Sequence, residues 1–162
     1  MRYFTFDYPL SRASVGIRLV LTLFLFFMLL GTITSVLIFH QNTQFSYRRM
    51  VDYYRGAEEG MLFPKSYAEL LQTTHFHLFS MPVVMLILGH IFLMVSWSIR
   101  ARVTVILLSF AGMLFELAGP WLMRYGSENW GWVLLSGECC LAVSLTCYIV
   151  VPLWEMWFRR TA

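Results

Sequence analysis

Four stretches of this chain are apolar for about 20 residues or more, the length a helix needs to cross a bilayer core of about 30 Å. They cover residues 17–39, 76–99, 103–123 and 130–158. A backbone in hydrocarbon must satisfy its own hydrogen bonds, so only helices or closed barrels can cross it. Runs this long are helical, since a barrel strand needs about 10 residues. The expected fold is therefore all-α: a polytopic membrane protein, with residues 1–162 forming one four-helix transmembrane domain. Composition agrees. Of the 162 residues, 59% are hydrophobic and 13% charged, about half the charge of an ordinary soluble domain. The net charge of +3 is scattered along the chain, which argues against a nucleic-acid partner.

Four spans put both termini on one side. Arg2, Arg12, Arg18, Arg100, Arg102, Arg159 and Arg160 fall there, with Asp7 and Glu155. Arg48, Arg49, Arg55, Lys65 and Arg124 fall opposite, among Asp52, Glu58, Glu59, Glu69 and Glu128. The cation excess assigns both termini to the cytoplasm. Trp97, Trp154 and Trp157 then mark the inner interface, and Trp121, Trp130 and Trp132 the outer one. The first span is long for a signal peptide and lacks a small-residue cleavage site, so it reads as an uncleaved anchor. No organelle-targeting segment is visible, and a bacterial inner membrane is the expected location.

The sizeable extramembrane piece is the outer loop, residues 41–73. Residues 47–55 suit a short interfacial helix. Pro64 then breaks the chain, and Ser66 with Glu69 has the spacing of a capping box, so the second helix should start near Tyr67.

Ionisable groups in hydrocarbon are costly and mark functional candidates. His40 ends the first span, His75, His77 and His90 lie on the second, Glu116 on the third and Glu138 on the fourth. At 100° per residue His75 and His77 point about 200° apart, so they cannot serve one site. His75 and His90 share a stripe, separated by about 22 Å of rise. His77 shares another with Met81 and Met85. Glu116 lies eight residues before Arg124 and Glu138 eight after Trp130, so both sit about 12 Å below the outer surface.

Each pattern has a chemical and a structural reading. Imidazoles spaced along one membrane helix can be axial ligands of haem iron, or rings bonded to headgroups and neighbouring helices. Glu116 and Glu138, paired at one depth, can accept protons from a quinol or join His77 on a metal. They can equally bond backbone, or Thr32, Thr34 and Ser35. Met81 and Met85 beside His77 suit copper(I), although methionine commonly fills gaps. Cys139, Cys140 and Cys147 lack metal-ligand spacing and read as packing residues. Pro82 should kink the second span. Gly112 and Gly119, with Ala111 and Ala118, give the third a face for close helix packing, and Pro120 marks a bend.

Four spans, cytoplasmic ends, and the segment T-H-F-H-L-F-S-M-P-V-V-M-L-I-L-G-H ending at His90 resemble the four-helix cytochrome b-type subunits that anchor bacterial hydrogenases and formate dehydrogenases. The resemblance implies haem b held by histidines, with His40, His75, His77 and His90 as candidates here, and electron exchange with quinones. Spans three and four contain no histidine.

The leading expectation is thus a redox subunit, part of an oxidoreductase, binding haem b or quinol within a larger respiratory-type complex. It would sit among other membrane subunits or copies of itself, with Glu116 and Glu138 as its catalytic acids. The alternatives are a non-catalytic accessory subunit, or a metal-dependent membrane enzyme or metal carrier built on His77 and the two glutamates, with Met81 and Met85 beside His77 as further candidate metal ligands. Four spans without repeats offer no alternating-access pair, which disfavours a transporter.

Overall fold

A computed structural model describes residues 10–58 and 61–159. Arg2, Asp7, Glu59 and Arg160 of the charge balance lie outside the described residues. Five α-helices carry the chain: α1 (Val15–Thr43), α2 (Tyr47–Arg55), α3 (Tyr67–Leu93), α4 (Ile99–Tyr125) and α5 (Gly131–Trp157). All but α2 are long and apolar enough to cross a membrane. The described residues form no β-sheet, only an isolated bridge between Ala57 and Leu62.

Local chemistry sets most helix ends. Ser14 accepts the Ile17 N–H, and Ser66 and Glu69 cap each other's backbone as their spacing predicts. Within α1, Thr32 donates to the Met28 carbonyl, and Thr34 and Ser35 to that of Gly31. These hydroxyls are satisfied inside their own helix, which is how lipid-facing polar groups avoid a desolvation cost, and they are not partners of the glutamates.

The second span stops earlier than its hydropathy suggests. Apolar character runs to Ile99, yet α3 ends at Leu93. Glu155 of α5 reaches into the turn and accepts from the Ser96 N–H at 2.8 Å and the Ser96 hydroxyl at 2.6 Å. Arg102 donates to the Leu93 carbonyl, and the Ser98 hydroxyl caps α4. A buried carboxylate from a distant helix thus fixes a tight α3–α4 turn. The same end of the bundle holds Leu10, packed beneath α5, and Arg18, which donates to the Ser11 and Ala13 carbonyls. We call it the terminal end, and the opposite one the loop end.

The closest pairing is α4 on α5; α3 lies mainly against α4, and α1 against α5. Glycines make that pairing possible. A Cβ on Gly137 would stand 2.7 Å from the Glu116 nitrogen and 3.0 Å from the Gly112 carbonyl oxygen; one on Gly119 would stand 2.8 Å from Leu134 Cα. Small residues let membrane helices approach backbone to backbone. Along the bundle axis lies the main core, with Leu25, Leu88, Phe92 and Tyr148 fully buried. In it the Tyr148 and Ser109 hydroxyls pair at 2.9 Å, so neither polar group is stranded. A smaller cluster of Met50, Val51, Met123 and Leu134 seats α2 on the ends of α4 and α5.

Candidate functional site

The glycine contact between α4 and α5 also sets the positions of two acids. Glu116 contributes the nitrogen that approaches Gly137, and Glu138 is the next residue along α5. Both side chains line one cavity of about 140 Å³ at the loop end. His77 reaches it from α3, Tyr53 and Tyr54 from α2, and Lys65 from the connection between them. One carboxylate oxygen of Glu116 is shielded from solvent and has no hydrogen-bond partner among the described residues.

Pro120 also lines the cavity. It has no N–H, so the carbonyl of Glu116, four residues earlier, loses its usual helical donor. The lining thus sets two carboxylates and an imidazole against the donors Tyr53, Tyr54 and Lys65.

A roof of short contacts holds α2 over this cavity. Arg55 donates to the Met123 carbonyl at 2.8 Å and to that of Gly126 at 3.2 Å, closing the end of α4. The Tyr47 hydroxyl donates to the Glu128 carbonyl at 2.6 Å. Arg124 donates to the Lys65 carbonyl at 2.9 Å. Lys65 pairs with Glu69 at 3.0 Å and lies over the Tyr53 ring; the hydrogen bond it donates to the Glu69 carboxylate holds its ammonium above the ordinary lysine value. Burial pushes the Tyr54 phenol well above its usual value, and charge on Tyr53, Glu138 and Glu116 pushes the same way. Thr74 accepts from the Trp121 indole at 2.7 Å, joining α3 to α4 beside the cavity.

Residues 44–162 match the profile of the Aq_1264_TM family, described as a transmembrane helical domain. The chain belongs to this family. In this transmembrane helical domain the matched stretch takes in α2 to α5 and leaves α1 outside. Every residue lining the cavity falls within the match, so the site belongs to the shared domain. No curated protein and no solved structure matches the chain. The family match carries no likeness to cytochrome b-type subunits.

The other candidate residues of the domain lie apart from the cavity. His40 is exposed at the end of α1, its ring 4.9 Å from that of Phe45. His75 is exposed on α3, 5.0 Å from Phe79. His90 is half-buried near the terminal end of α3, about 20 Å of helix rise from His77. Met85 is buried in the main core and Met81 packs against it. Neither lines the cavity, so the soft-metal reading finds its sulfurs engaged in packing. Among the described residues, no group of three or more His, Cys, Asp or Glu side chains is placed to hold a metal ion.

Sequence reasoning missed Tyr53, Tyr54 and Lys65 as lining residues, and the Trp121–Thr74 bond beside them. The first two were legible as the inward edge of an amphipathic interfacial helix. Nothing in the spacing could show where that edge would land.

Proposed function

We propose that the domain is a membrane redox subunit that binds a quinol at the loop-end cavity. The observation that carries this reading is the convergence of Glu116, Glu138 and His77 on one small cavity at the membrane edge. About 140 Å³ is room for a single six-membered ring; a cavity of about 150 Å³ holds benzene. The quinol hydroxyls would donate to Glu116 and Glu138. On oxidation both O–H bonds would break, the two protons would pass to these carboxylates, and the two electrons would leave singly to an acceptor in a partner subunit of a larger respiratory-type complex, where a haem b would supply one-electron chemistry. His77 and Tyr54 would orient the ring.

We infer that a haem b would sit at the edge of this bundle rather than inside it: α4 and α5 offer no histidine, and His40 and His75 are exposed beside phenylalanines. His75 on the outer face of α3 suits a haem shared with a partner subunit. We place the domain in a bacterial inner membrane with its termini in the cytoplasm, on the arginine distribution of the sequence.

The test is binding of a short-chain benzoquinol to the purified protein in lipid nanodiscs, followed by Trp121 fluorescence. Saturable quenching is expected, weakened about tenfold or more by Glu116→Gln or Glu138→Gln, since each removes a charge-assisted hydrogen bond. Absence of saturable quenching in the unmodified protein refutes the reading and leaves an accessory subunit.

A further inference from the structure

Beside the roof, and separate from the acid-lined cavity, a second and larger cavity of about 630 Å³ opens between the end of α1, the outer face of α2 and the Ala57–Leu62 bridge. Arg48, Arg49, Asp52, Glu58, Asn42 and Tyr53 line it. Its depth follows from its neighbours. The apolar part of α1 ends at Phe39, Met50 and Val51 of α2 are buried against the bundle, and Arg48 and Arg49 are exposed. A helix with a buried apolar face and an arginine-bearing outer face lies in the headgroup plane. The charges are also unusual in one respect. Two guanidinium groups and two carboxylates line a single trough, yet none of the four makes an ion pair or side-chain hydrogen bond with another described residue. Arg55, about two turns on, donates from one guanidinium nitrogen to two carbonyls, so partners were available to a nearby arginine.

We propose that this trough binds the headgroup of an amine-bearing zwitterionic phospholipid, of the phosphatidylethanolamine class. Arg48 and Arg49 grip the phosphate; guanidinium matches phosphate oxygens with paired N–H donors. Asp52 and Glu58, with the Asn42 side-chain carbonyl, accept from the primary ammonium. A choline headgroup carries the same charges but has no N–H to donate, so the trough discriminates by hydrogen bonding. The acyl chains run down beside the exposed apolar face of α1, where Val36, Leu37 and Ile38 point outward.

The test is lipid retention, measured by native mass spectrometry after graded delipidation of the full chain from mixed vesicles of ethanolamine, choline and glycerol phospholipids. Soluble phosphoethanolamine and inorganic phosphate are added as competitors. Ethanolamine lipid should be retained about tenfold over choline lipid. The Arg48→Gln/Arg49→Gln double variant should lose all three lipids. Asp52→Asn should keep phosphate-dependent retention while erasing the preference for ethanolamine over choline. Competition by phosphoethanolamine but not by phosphate supports a zwitterion site. Equal retention of ethanolamine and choline lipids, a preference for the glycerol lipid, displacement by inorganic phosphate alone, or variants that behave as the unmodified chain would each overturn it. All three substitutions are at polar, solvent-reached positions; unchanged thermal unfolding of the variants confirms that lost retention is not lost fold.

Discussion

Replacing Gly137 by alanine tests whether the bundle is held by backbone contact between α4 and α5. The added methyl carbon would sit 2.7 Å from the Glu116 nitrogen, 3.0 Å from the Gly112 carbonyl oxygen and 3.0 Å from Phe115 Cβ. Two of these three are main-chain atoms and cannot rotate away. The helices must therefore separate by several tenths of an ångström along the whole seam. Overpacking of this kind costs about 1–3 kcal/mol. Alanine recovers up to about 1 kcal/mol of helix propensity over glycine, so a net loss of about 1–2 kcal/mol is expected. The control is Gly31→Ala in α1, where a Cβ meets nothing within 4 Å; there only the propensity gain remains. Reversible unfolding in mixed detergent micelles, read by tryptophan fluorescence, compares the two. Gly137→Ala should be destabilised while Gly31→Ala is neutral or slightly stabilised. Equal stabilities would refute the close approach. Because the seam also sets the spacing of Glu116 and Glu138, quinol affinity should fall in Gly137→Ala and stay unchanged in Gly31→Ala.

Two further outcomes bear on the ends of the bundle. Glu155→Ala leaves the buried Ser96 N–H and hydroxyl without their acceptor, at a cost of about 1–3 kcal/mol; thermal unfolding should show a smaller loss for Glu155→Gln, which keeps one acceptor oxygen, and no loss in either variant would dismiss the clasp. Tyr54 should remain protonated above pH 10, when free phenols ionise, as followed by absorbance at 295 nm. Its folded value is raised, chiefly by burial, so its contribution to stability is complete below about pH 10 and is lost as pH climbs through the folded value; Tyr54→Phe should flatten that alkaline decline, and an unchanged decline would refute the burial of the phenol beneath the roof.

The four spans were legible because hydrocarbon leaves a long apolar segment only one ordered state. Their ends were less so. Hydropathy is blind to residues 94–98, where Val95 is as apolar as the helix it follows, and what ends α3 is the carboxylate of Glu155, nearly sixty residues further on. In the charge balance that residue counted as one more terminal-side acid; in the fold it is 3% exposed and ties α5 to the α3–α4 turn. By contrast Ser66 and Glu69, whose effect is confined to a single turn, announced the start of α3 correctly.

The site divides along the same line. Helix rise is a fixed 1.5 Å per residue, so counting inward from Arg124 and Trp130 sufficed to put Glu116 and Glu138 at one depth. Likewise 100° per residue was enough to separate His75 from His77, and only His77 reaches the cavity. Rotation of one helix against another is not contained in either count. It is set where α4 and α5 approach most closely, backbone to backbone at Gly119 and Gly137 and against Cys140 and Leu141 at Gly112. Of these, Gly137 adjoins Glu138 in the chain and touches the backbone of Glu116 in space. A larger residue there would push the helices apart, and the two acids with them. Pro120 acts on the same turn by withholding the N–H that Glu116 would otherwise engage. Contact seam and acid pair are thus one feature, and stability and ligand affinity should respond together to substitutions at Gly137 but separately to those at Glu155, on the opposite end of the bundle.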